Sequence, residues 1–261
     1  MRFFVFNNED SKSKQIAKIV REKLDSFSNF CFSEDNPEIV VTIGGDGCLL
    51  RSIHLLQDKL QSVAFIGIST GTLGFLCDYK MEELDDFFDS IKNMEPKFES
   101  NRLIELICNN EKKYFINEVR VESKFDSLKL EVLINEEKFE TFKGNGVNIS
   151  TSIGSTGYNR SLGGPIINSY YQLLIFKEIS PINNAKYSSL NSSLILNETD
   201  IITLKGNFNN CIIGGDNEYQ QINDEELKEV KIALSKKTVT FARYNKKNYY
   251  EKLRDSFIVR R

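Results

Sequence analysis

The sequence predicts a two-part chain, an α/β region followed by a β-rich region. The apolar runs Val40–Ile43 and Val63–Ile68 flank a helical pattern, which is typical of parallel strands covered on both faces. After Pro96 the hydrophobic period changes from helical to alternating. The 261 residues, 40% of them hydrophobic, are enough for two domains. We therefore place a first domain at residues 1–96 and a second at 97–245.

The first domain is expected to alternate strands with helices. Each strand is a short apolar run, and each helix shows apolar residues at helical spacing. In order, we predict a strand at Phe3–Phe6, a helix capped by Ser11, a strand at Val40–Ile43, a helix from Gly47 to about Asp58, a strand at Val63–Ile68 and a helix from Met81 to about Lys92.

The second domain is expected to consist mainly of strands, with one interruption. Alternating and β-branched runs predict strands at Leu103–Ile107, Tyr114–Val121, Leu128–Ile134, Phe139–Phe142, Ser193–Leu196, Ile201–Leu204, Cys211–Ile213 and Thr238–Ala242. Asn135–Glu137 is a plausible hairpin turn. The segment Phe142–Gly164, rich in glycine and hydroxyl side chains, breaks the strand pattern. A helix at about 246–261 is expected to pack back on the first domain.

Composition excludes several classes of function. A net charge of −3 and a pI near 5.5 provide no basic surface for nucleic acid. Five cysteines without a Cys-x-x-Cys pair indicate reduced thiols, no zinc site and a cytoplasmic protein. No stretch approaches the roughly 18 apolar residues that span a membrane. The single histidine, His54, follows apolar helix positions and is expected to be structural, so acid–base chemistry should belong to carboxylates.

A glycine turn follows the second strand and carries one carboxylate. Gly44-Gly45-Asp46-Gly47 lets the backbone approach a ligand, and the following helix directs free N–H groups at the turn. Gly44, Gly45 and Gly47 are thus candidates for phosphate binding, and Asp46 is a candidate base. A strand-to-helix turn with a capping aspartate is the alternative. The loop Gly67–Phe75 should leave the parallel sheet at the same edge, so that the two loops form a crevice.

A second loop suits the oxygens of a phosphate or a sugar. Gly154-Ser155-Thr156-Gly157 combines hydroxyl donors with glycines ahead of a short helix. An ordinary surface loop is the alternative for this segment.

Together these motifs resemble those of the NAD kinase family. The matching segments are Gly44–Gly47, Thr70–Phe75, Phe115–Glu118, Lys143–Gly146 and Gly154–Asn159. The resemblance covers nearly the whole chain, and it implies an N-terminal Rossmann-like α/β domain with a C-terminal β-rich, β-sandwich-like domain. It also implies NAD bound between the domains, ATP as phosphoryl donor, and Mg²⁺ or another divalent cation accompanying ATP. No residue is assigned as a metal ligand.

The resemblance assigns roles to particular residues. Asp46 corresponds to the general base that takes the proton from the 2′-hydroxyl of the adenosine ribose. The implied NAD-binding residues are Asp46, Gly47, Phe75, Asn117, Glu118, Lys143, Asn145, Thr156, Gly157, Tyr158, Asn159, Arg160, Ser161, Ser180 and Ile182. The last two resemble a contact from a neighbouring subunit, which implies a homo-oligomer, a tetramer or a dimer. For Glu118 a half-exposed strand carboxylate is the alternative.

The chain departs from the family pattern at a few positions. Asn145 replaces the usual aspartate, Gly157 replaces an alanine, and Thr151–Ile153 lacks the usual proline. The turn Gly214–Asn217 also differs from the Asp-Gly pair that the family has there.

The alternative functions are those of a lipid kinase of the diacylglycerol or sphingosine type, a phosphofructokinase and a non-catalytic NAD sensor. A phosphofructokinase should have a longer chain. The sequence does not distinguish ATP from other triphosphates or polyphosphate as donor, because it has no Gly-x-x-x-x-Gly-Lys-Ser/Thr loop.

Overall fold

A computed structural model describes residues 1–71, 74–222, 227–244 and 248–259. The chain forms two compact units. The first comprises residues 1–100 together with 238–261, and the second comprises residues 101–237. No helix in the described ranges is long and apolar enough to cross a membrane.

The elements follow one another in a simple order. The first hundred residues contain β1 (Arg2–Asn7), α1 (Ser11–Asp25), β2 (Cys31–Phe32), β3 (Ile39–Ile43), α2 (Asp46–Leu55), β4 (Ala64–Ser69), β5 (Tyr79–Lys80), a 3-10 turn (Met81–Glu83) and α3 (Leu84–Asn93). There follow β6 (Lys97–Cys108), β7 (Glu111–Phe115), β8 (Glu118–Ser123), β9 (Leu128–Ile134), β10 (Glu137–Thr151), a 3-10 turn (Ile153–Thr156), α4 (Tyr158–Ser161), β11 (Leu174–Pro181), β12 (Leu194–Leu196), β13 (Ile201–Gly206), β14 (Cys211–Gly215), β15 (Glu218–Ile222), β16 (Glu229–Arg243) and α5 (Tyr249–Phe257).

The first unit is built on a parallel sheet in the order β2-β1-β3-β4, with β5 and the end of β16 also parallel to β4. Every residue of β3 and β4 is buried, which confirms the prediction of strands covered on both faces. The core of this unit includes Phe3 and Phe87, which are fully buried. Burial of such apolar side chains stabilises the unit by about 1.5–3 kcal/mol each.

Two helix boundaries in this unit differ from the sequence prediction. The side chain of Asp10, not Ser11, caps α1 by accepting a hydrogen bond from the Ser13 N–H at 2.9 Å. An aspartate is among the strongest N-cap residues, so the boundary moves by one position. Helix α2 begins at Asp46 and ends at Leu55, so the candidate base occupies the first helical position.

The second unit is antiparallel. Its strand order is β15-β14-β8-β10-β9-β13-β16. In addition, β11 pairs with both β10 and β12, and β6 and β7 form a hairpin. Its core includes the fully buried Phe142, Phe176 and Phe208. The turn between β9 and β10 is confirmed: Asn135 and Glu136 have φ of 53° and 69°, as a two-residue hairpin requires. The fold class, α/β followed by a β-rich domain, is confirmed.

Two predictions about this unit are wrong. The interruption expected from Phe142 does not occur there, because β10 continues to Thr151 and only residues 153–161 turn helical. The glycines in that stretch serve close strand packing: a Cβ on Gly146 would lie 2.2 Å from the Val121 carbonyl oxygen. Conversely, the single strand expected at Tyr114–Val121 is broken at residues 116–117. The strands β11 and β15 and most of β16 were not predicted.

The C-terminal helix α5 lies in the first unit. It begins at Tyr249, after the Asn248 side chain accepts the Glu251 N–H at 3.0 Å and Glu251 reciprocates. This reciprocal capping box explains where the helix begins. Residues 246–247 and 260–261 of the predicted helix lie outside the described part of the chain.

Candidate active site

The glycine turn joins β3 to α2 in the first unit. Gly44 has a φ of +154°, and a Cβ there would lie 2.6 Å from the Cβ of Cys48, so the position requires glycine. Gly45 is the N-cap of α2, and Asp46 and Gly47 form its first turn. The N–H groups of this first turn point out of the helix and favour an anion beside them.

The Asp46 carboxylate is bound by the loop that follows β4. Oδ2 accepts the Phe75 N–H at 2.7 Å, and Oδ1 accepts the N–H groups of Leu76 at 3.1 Å and Cys77 at 3.2 Å. A Cβ on Gly74 would lie 2.1 Å from Oδ1, so the loop approaches this closely only with glycine there. The two loops therefore meet at one edge of the sheet, as predicted; residues 72–73 of the motif lie outside the described ranges.

The geometry of Asp46 suits proton transfer. The residue is half-buried. A carboxylate offers about four acceptor sites, and three of them are used by the backbone N–H groups of the described residues 75–77. The Cys77 thiol also interacts with this carboxylate. The fixed orientation of the carboxylate defines where a ligand hydroxyl that donates to it must lie.

In the second unit, contacts of Thr151 and Gly154 join the segment around Asn117 and Glu118 to the loop Gly154–Gly157. The Thr151 hydroxyl donates to the Ile116 carbonyl at 2.6 Å and accepts the Gly154 N–H at 3.0 Å. A Cβ on Gly154 would lie 1.9 Å from the Asn117 carbonyl oxygen. Two motifs that are distant in sequence are thus packed directly against each other.

Asp216 explains the break at residues 116–117. Its buried carboxylate accepts the Ile116 N–H at 2.5 Å and the Asn117 N–H at 2.7 Å, so these groups do not bond to a neighbouring strand. Asp216 and Asn217 form the turn between β14 and β15, with φ of 51° and 68°. Sequence reasoning noticed this turn as a departure but gave Asp216 no role. The signal was an aspartate in a short turn between two strands.

Glu118 is buried rather than half-exposed, so the alternative of a half-exposed strand carboxylate is wrong. Its exposed fraction is 8%. Burial, followed by the negative charge of Asp216, raises the pKa of Glu118 to about 7, although Arg120 acts in the opposite direction. A carboxyl group with such a pKa exists in both protonation states near neutral pH and can donate or accept a hydrogen bond.

The residues after Gly154 differ in accessibility. Gly157, Arg160 and Ser161 are exposed, and Thr156 is half-buried with its hydroxyl donating to the Ile153 carbonyl at 3.3 Å. Asn159 is fully buried: its Nδ2 donates to the carbonyls of Ser155 and Pro165 at 3.2 and 2.9 Å, which fixes the loop.

Tyr158 is held by two charged neighbours on β8. Its hydroxyl donates to Glu122 at 3.3 Å, and the Arg120 guanidinium lies 4.5 Å from the ring centroid. Arg120 and Glu122 are themselves 3.5 Å apart. Glu122, at the hydroxyl, and Arg120, over one face, therefore fix the orientation of the Tyr158 ring.

The remaining predicted residues lie at the other end of β10. The Ile182 N–H donates to the Lys143 carbonyl at 2.7 Å, and Asn145, Ser180 and Ile182 are exposed. Eight residues of strand, about 26 Å, separate Lys143 from Thr151. This group is therefore not part of the cluster around Asn117 in the same chain.

Comparison with known families identifies the two halves of the chain. Residues 4–95 match the model of the ATP-NAD kinase N-terminal domain, and residues 116–244 match that of the ATP-NAD kinase C-terminal domain. The chain belongs to the ATP-NAD kinase family. It is thus an NAD kinase by class, a phosphotransferase with an alcohol group as acceptor, and the family resemblance of its motifs is confirmed.

Similar proteins span the whole chain. An NAD kinase of Limosilactobacillus reuteri is 32% identical over 267 residues, which cover 99% of this chain and 98% of that protein. The crystal structure of an NAD kinase from Archaeoglobus fulgidus in complex with ATP has a TM-score of 0.75 at 21% identity, covering 98% of this chain and 99% of that one. Yeast NADH kinase complexed with NADH has a TM-score of 0.79 at 16% identity, covering 100% and 89%. At such identities, the two structures support the fold of this ATP-NAD kinase family member.

Proposed function

We propose that this chain transfers the γ-phosphoryl group of ATP to the 2′-hydroxyl of the adenosine ribose of NAD, giving NADP, with Asp46 as general base. The observation that carries this proposal is the Asp46 carboxylate at the start of α2, held in one orientation by the backbone N–H groups of Phe75, Leu76 and Cys77. Phosphoryl transfer requires mainly positioning, charge neutralisation and a carboxylate on the attacking hydroxyl. Asp46 would accept the hydroxyl proton as the oxygen attacks the γ-phosphorus, and the bond from this phosphorus to the β,γ-bridging oxygen would break to release ADP.

The other residues would bind the substrates. Gly44, Gly45 and Gly47 bring the backbone N–H groups of the α2 N-terminus to a phosphate. Asn117 and Glu118 would hydrogen-bond NAD, and they are supported by Asp216, Thr151 and Gly154. Thr156, Gly157, Tyr158, Arg160 and Ser161 would contact the dinucleotide, with Asn159 fixing their loop. Mg²⁺ or another divalent cation would arrive with ATP as part of the substrate and neutralise the phosphoryl charge.

We further propose that the protein acts as a homo-oligomer, a tetramer or a dimer, in the cytoplasm. The exposed Asn145, Ser180 and Ile182 lie about 20–26 Å from the end of β10 that carries Thr151, measured along that strand, which suits a contact to the NAD bound by a neighbouring subunit. Ile182 is 38% exposed, and burial against a second subunit would be favourable. All five cysteines are free, as a reducing compartment requires. Sedimentation velocity would measure the subunit number.

The test is NADP⁺ formation from NAD⁺, ATP and Mg²⁺ by purified protein. Asp46→Asn preserves the shape of the side chain but removes the proton acceptor, so turnover should fall by about 10²- to 10⁴-fold. Asp85→Asn, at an exposed position on α3 of the same unit, is the matched control and should keep normal turnover. No NADP⁺ from the wild type would refute the kinase assignment, and normal turnover of Asp46→Asn would refute its base.

A further inference from the structure

The short segment Phe75–Cys77 is hydrogen-bonded on both of its polar sides. Its N–H groups donate to the Asp46 carboxylate. On the opposite side, the Leu76 carbonyl accepts from Arg243 Nη1 at 2.9 Å, and the Cys77 carbonyl accepts from Lys252 Nζ at 3.3 Å. Two cations that are far away in sequence therefore hold the segment that binds the candidate base: Arg243 binds the peptide group that carries the Cys77 N–H, and Lys252 binds the peptide group that follows it.

Both cations converge on one buried carboxylate. Asp78 is only 1% exposed, and its Oδ2 lies 2.7 Å from Arg243 Nη1 while its Oδ1 lies 2.6 Å from Lys252 Nζ. Burial alone would raise the pKa of Asp78, but Arg243 and Lys252 together hold it below the usual value. Arg243 also contacts Glu99 at 3.1 Å. Burial and the charge of Arg243 lower the pKa of Lys252, whereas Asp78 acts in the opposite direction. The result is a compact network of acidic and basic groups directly behind the segment.

Helix α5 brings Lys252 into this network. Lys252 is 8% exposed, although most lysines are exposed. The same helix contacts the segment through aromatic rings: Tyr249 packs edge-on against Phe75 at 5.3 Å, and Phe257 stacks on it at 6.3 Å. One helix thus holds both the side chain of Phe75 and the carbonyl of Cys77.

We propose that Lys252 is a positioning residue for Asp46, acting with Asp78 and Arg243 through the backbone of Phe75–Cys77. The inference rests on the proposed function and adds a residue to its machinery. Lys252 touches no reacting atom; it holds the Cys77 carbonyl, in the peptide group directly after the one that binds the base. Arg243 holds the Leu76 carbonyl, whose own peptide group carries the Cys77 N–H that donates to Asp46. The C-terminal helix is therefore part of the catalytic apparatus and not only a packing element.

A purely stabilising role accounts poorly for this arrangement. Burying charged groups has a large desolvation cost, and replacing a buried ion pair with apolar residues is often neutral or stabilising. Positioning accounts for it better, because a displacement of about 1 Å at the reacting groups can lower a rate about 100-fold. Loss of Lys252 would leave the Cys77 carbonyl without this donor and allow the segment to shift.

The first variant is Lys252→Met, which keeps the length and apolar stem of the side chain. We expect kcat for NADP⁺ formation to fall about 10- to 100-fold, while calorimetry still finds the wild-type Kd for NAD⁺ and the wild-type number of sites per chain. Retention of every site shows that the protein is folded, so the lower kcat does not come from unfolded enzyme. Arg254→Ala, at an exposed position of the same helix, is the control and should leave kcat unchanged. A normal kcat for Lys252→Met would overturn the proposal.

A double-variant cycle with Asp46→Asn separates positioning from any other role. If Lys252 acts through Asp46, Lys252→Met should lower kcat no further in the Asp46→Asn background. Multiplicative losses would overturn the proposal. If Lys252→Met binds NAD⁺ at fewer sites, Arg243→Lys takes its place in the same cycle. The Arg243→Lys variant keeps a positive charge beside Asp78 but lacks the guanidinium group that reaches the Leu76 carbonyl. The proposed function fails separately, if the wild type makes no NADP⁺ or Asp46→Asn keeps its turnover.

Discussion

Glu118→Gln should make the protein more stable at alkaline pH. The folded protein raises the pKa of Glu118 from 4.5 to about 7, mainly by burial and then by the charge of Asp216. Because the raised pKa favours the protonated form, its stabilising contribution is complete below about pH 4.5 and is lost as the pH rises to about 7. Glutamine stays neutral and nearly isosteric at every pH. Between pH 5 and pH 8, the advantage of the variant in the free energy of unfolding should grow by about 2–3 kcal/mol.

Urea unfolding of both proteins at pH 5 and pH 8, followed by tyrosine fluorescence, measures this difference. Other titrating groups, such as Glu140, whose pKa burial and Glu178 raise to about 8, are common to both proteins and cancel. Glu137→Gln, at an exposed position next to the hairpin turn, is the matched control and should show no pH-dependent advantage. An advantage of Glu118→Gln that stays constant between the two pH values would refute the reasoning.

Three further predictions follow from close contacts and burial. Gly74→Ala would put a methyl group 2.1 Å from the Asp46 carboxylate, so kcat for NADP⁺ formation should fall at least about tenfold; a normal kcat would show that the loop can move away. Asp216→Asn keeps one acceptor oxygen for two N–H groups, so the free energy of unfolding should fall by about 1.5–3 kcal/mol in urea titrations, and an unchanged midpoint would contradict this. Iodoacetamide at pH 8, followed by mass spectrometry, should modify the exposed Cys31 quickly. It should not modify Cys48, Cys77 and Cys211 before denaturation, because burial raises the pKa of these thiols. Early labelling of any of the three would disprove its burial.

Local patterns predicted the elements whose reasons are local. The fully apolar β3 and β4 could be recognised as buried parallel strands, and the Asn135 turn as a hairpin, because each signal lies within a few residues. The glycine turn likewise indicated where Asp46 would lie. Gly44, with a φ of +154°, allows the close strand-to-helix connection that the structure shows.

Features that depend on distant residues were missed. Tyr114–Val121 looks like one strand, but the carboxylate of Asp216, about 100 residues later, accepts the two N–H groups that would have continued it. In β10 the glycines suggested a loop, whereas Gly146 is required by the approach of Val121. No periodicity within a short window contains either cause, so these features follow only from the packed strands.

The two units use carboxyl groups in opposite ways. Peptide N–H groups bind Asp46 and two cations bind Asp78, and the peptide group between Leu76 and Cys77 links the two, with its N–H toward Asp46 and its C=O toward Arg243. Such an alignment places this dipole favourably with respect to both charged groups. At Glu118, by contrast, burial and the neighbouring charge of Asp216 both favour the neutral acid. A fixed orientation suits a group that accepts a proton at one defined place, whereas a carboxyl that titrates near neutrality suits a group that can donate or accept a hydrogen bond. Under the proposed function, the carboxyl group of Asp46 serves proton transfer and that of Glu118 serves NAD binding.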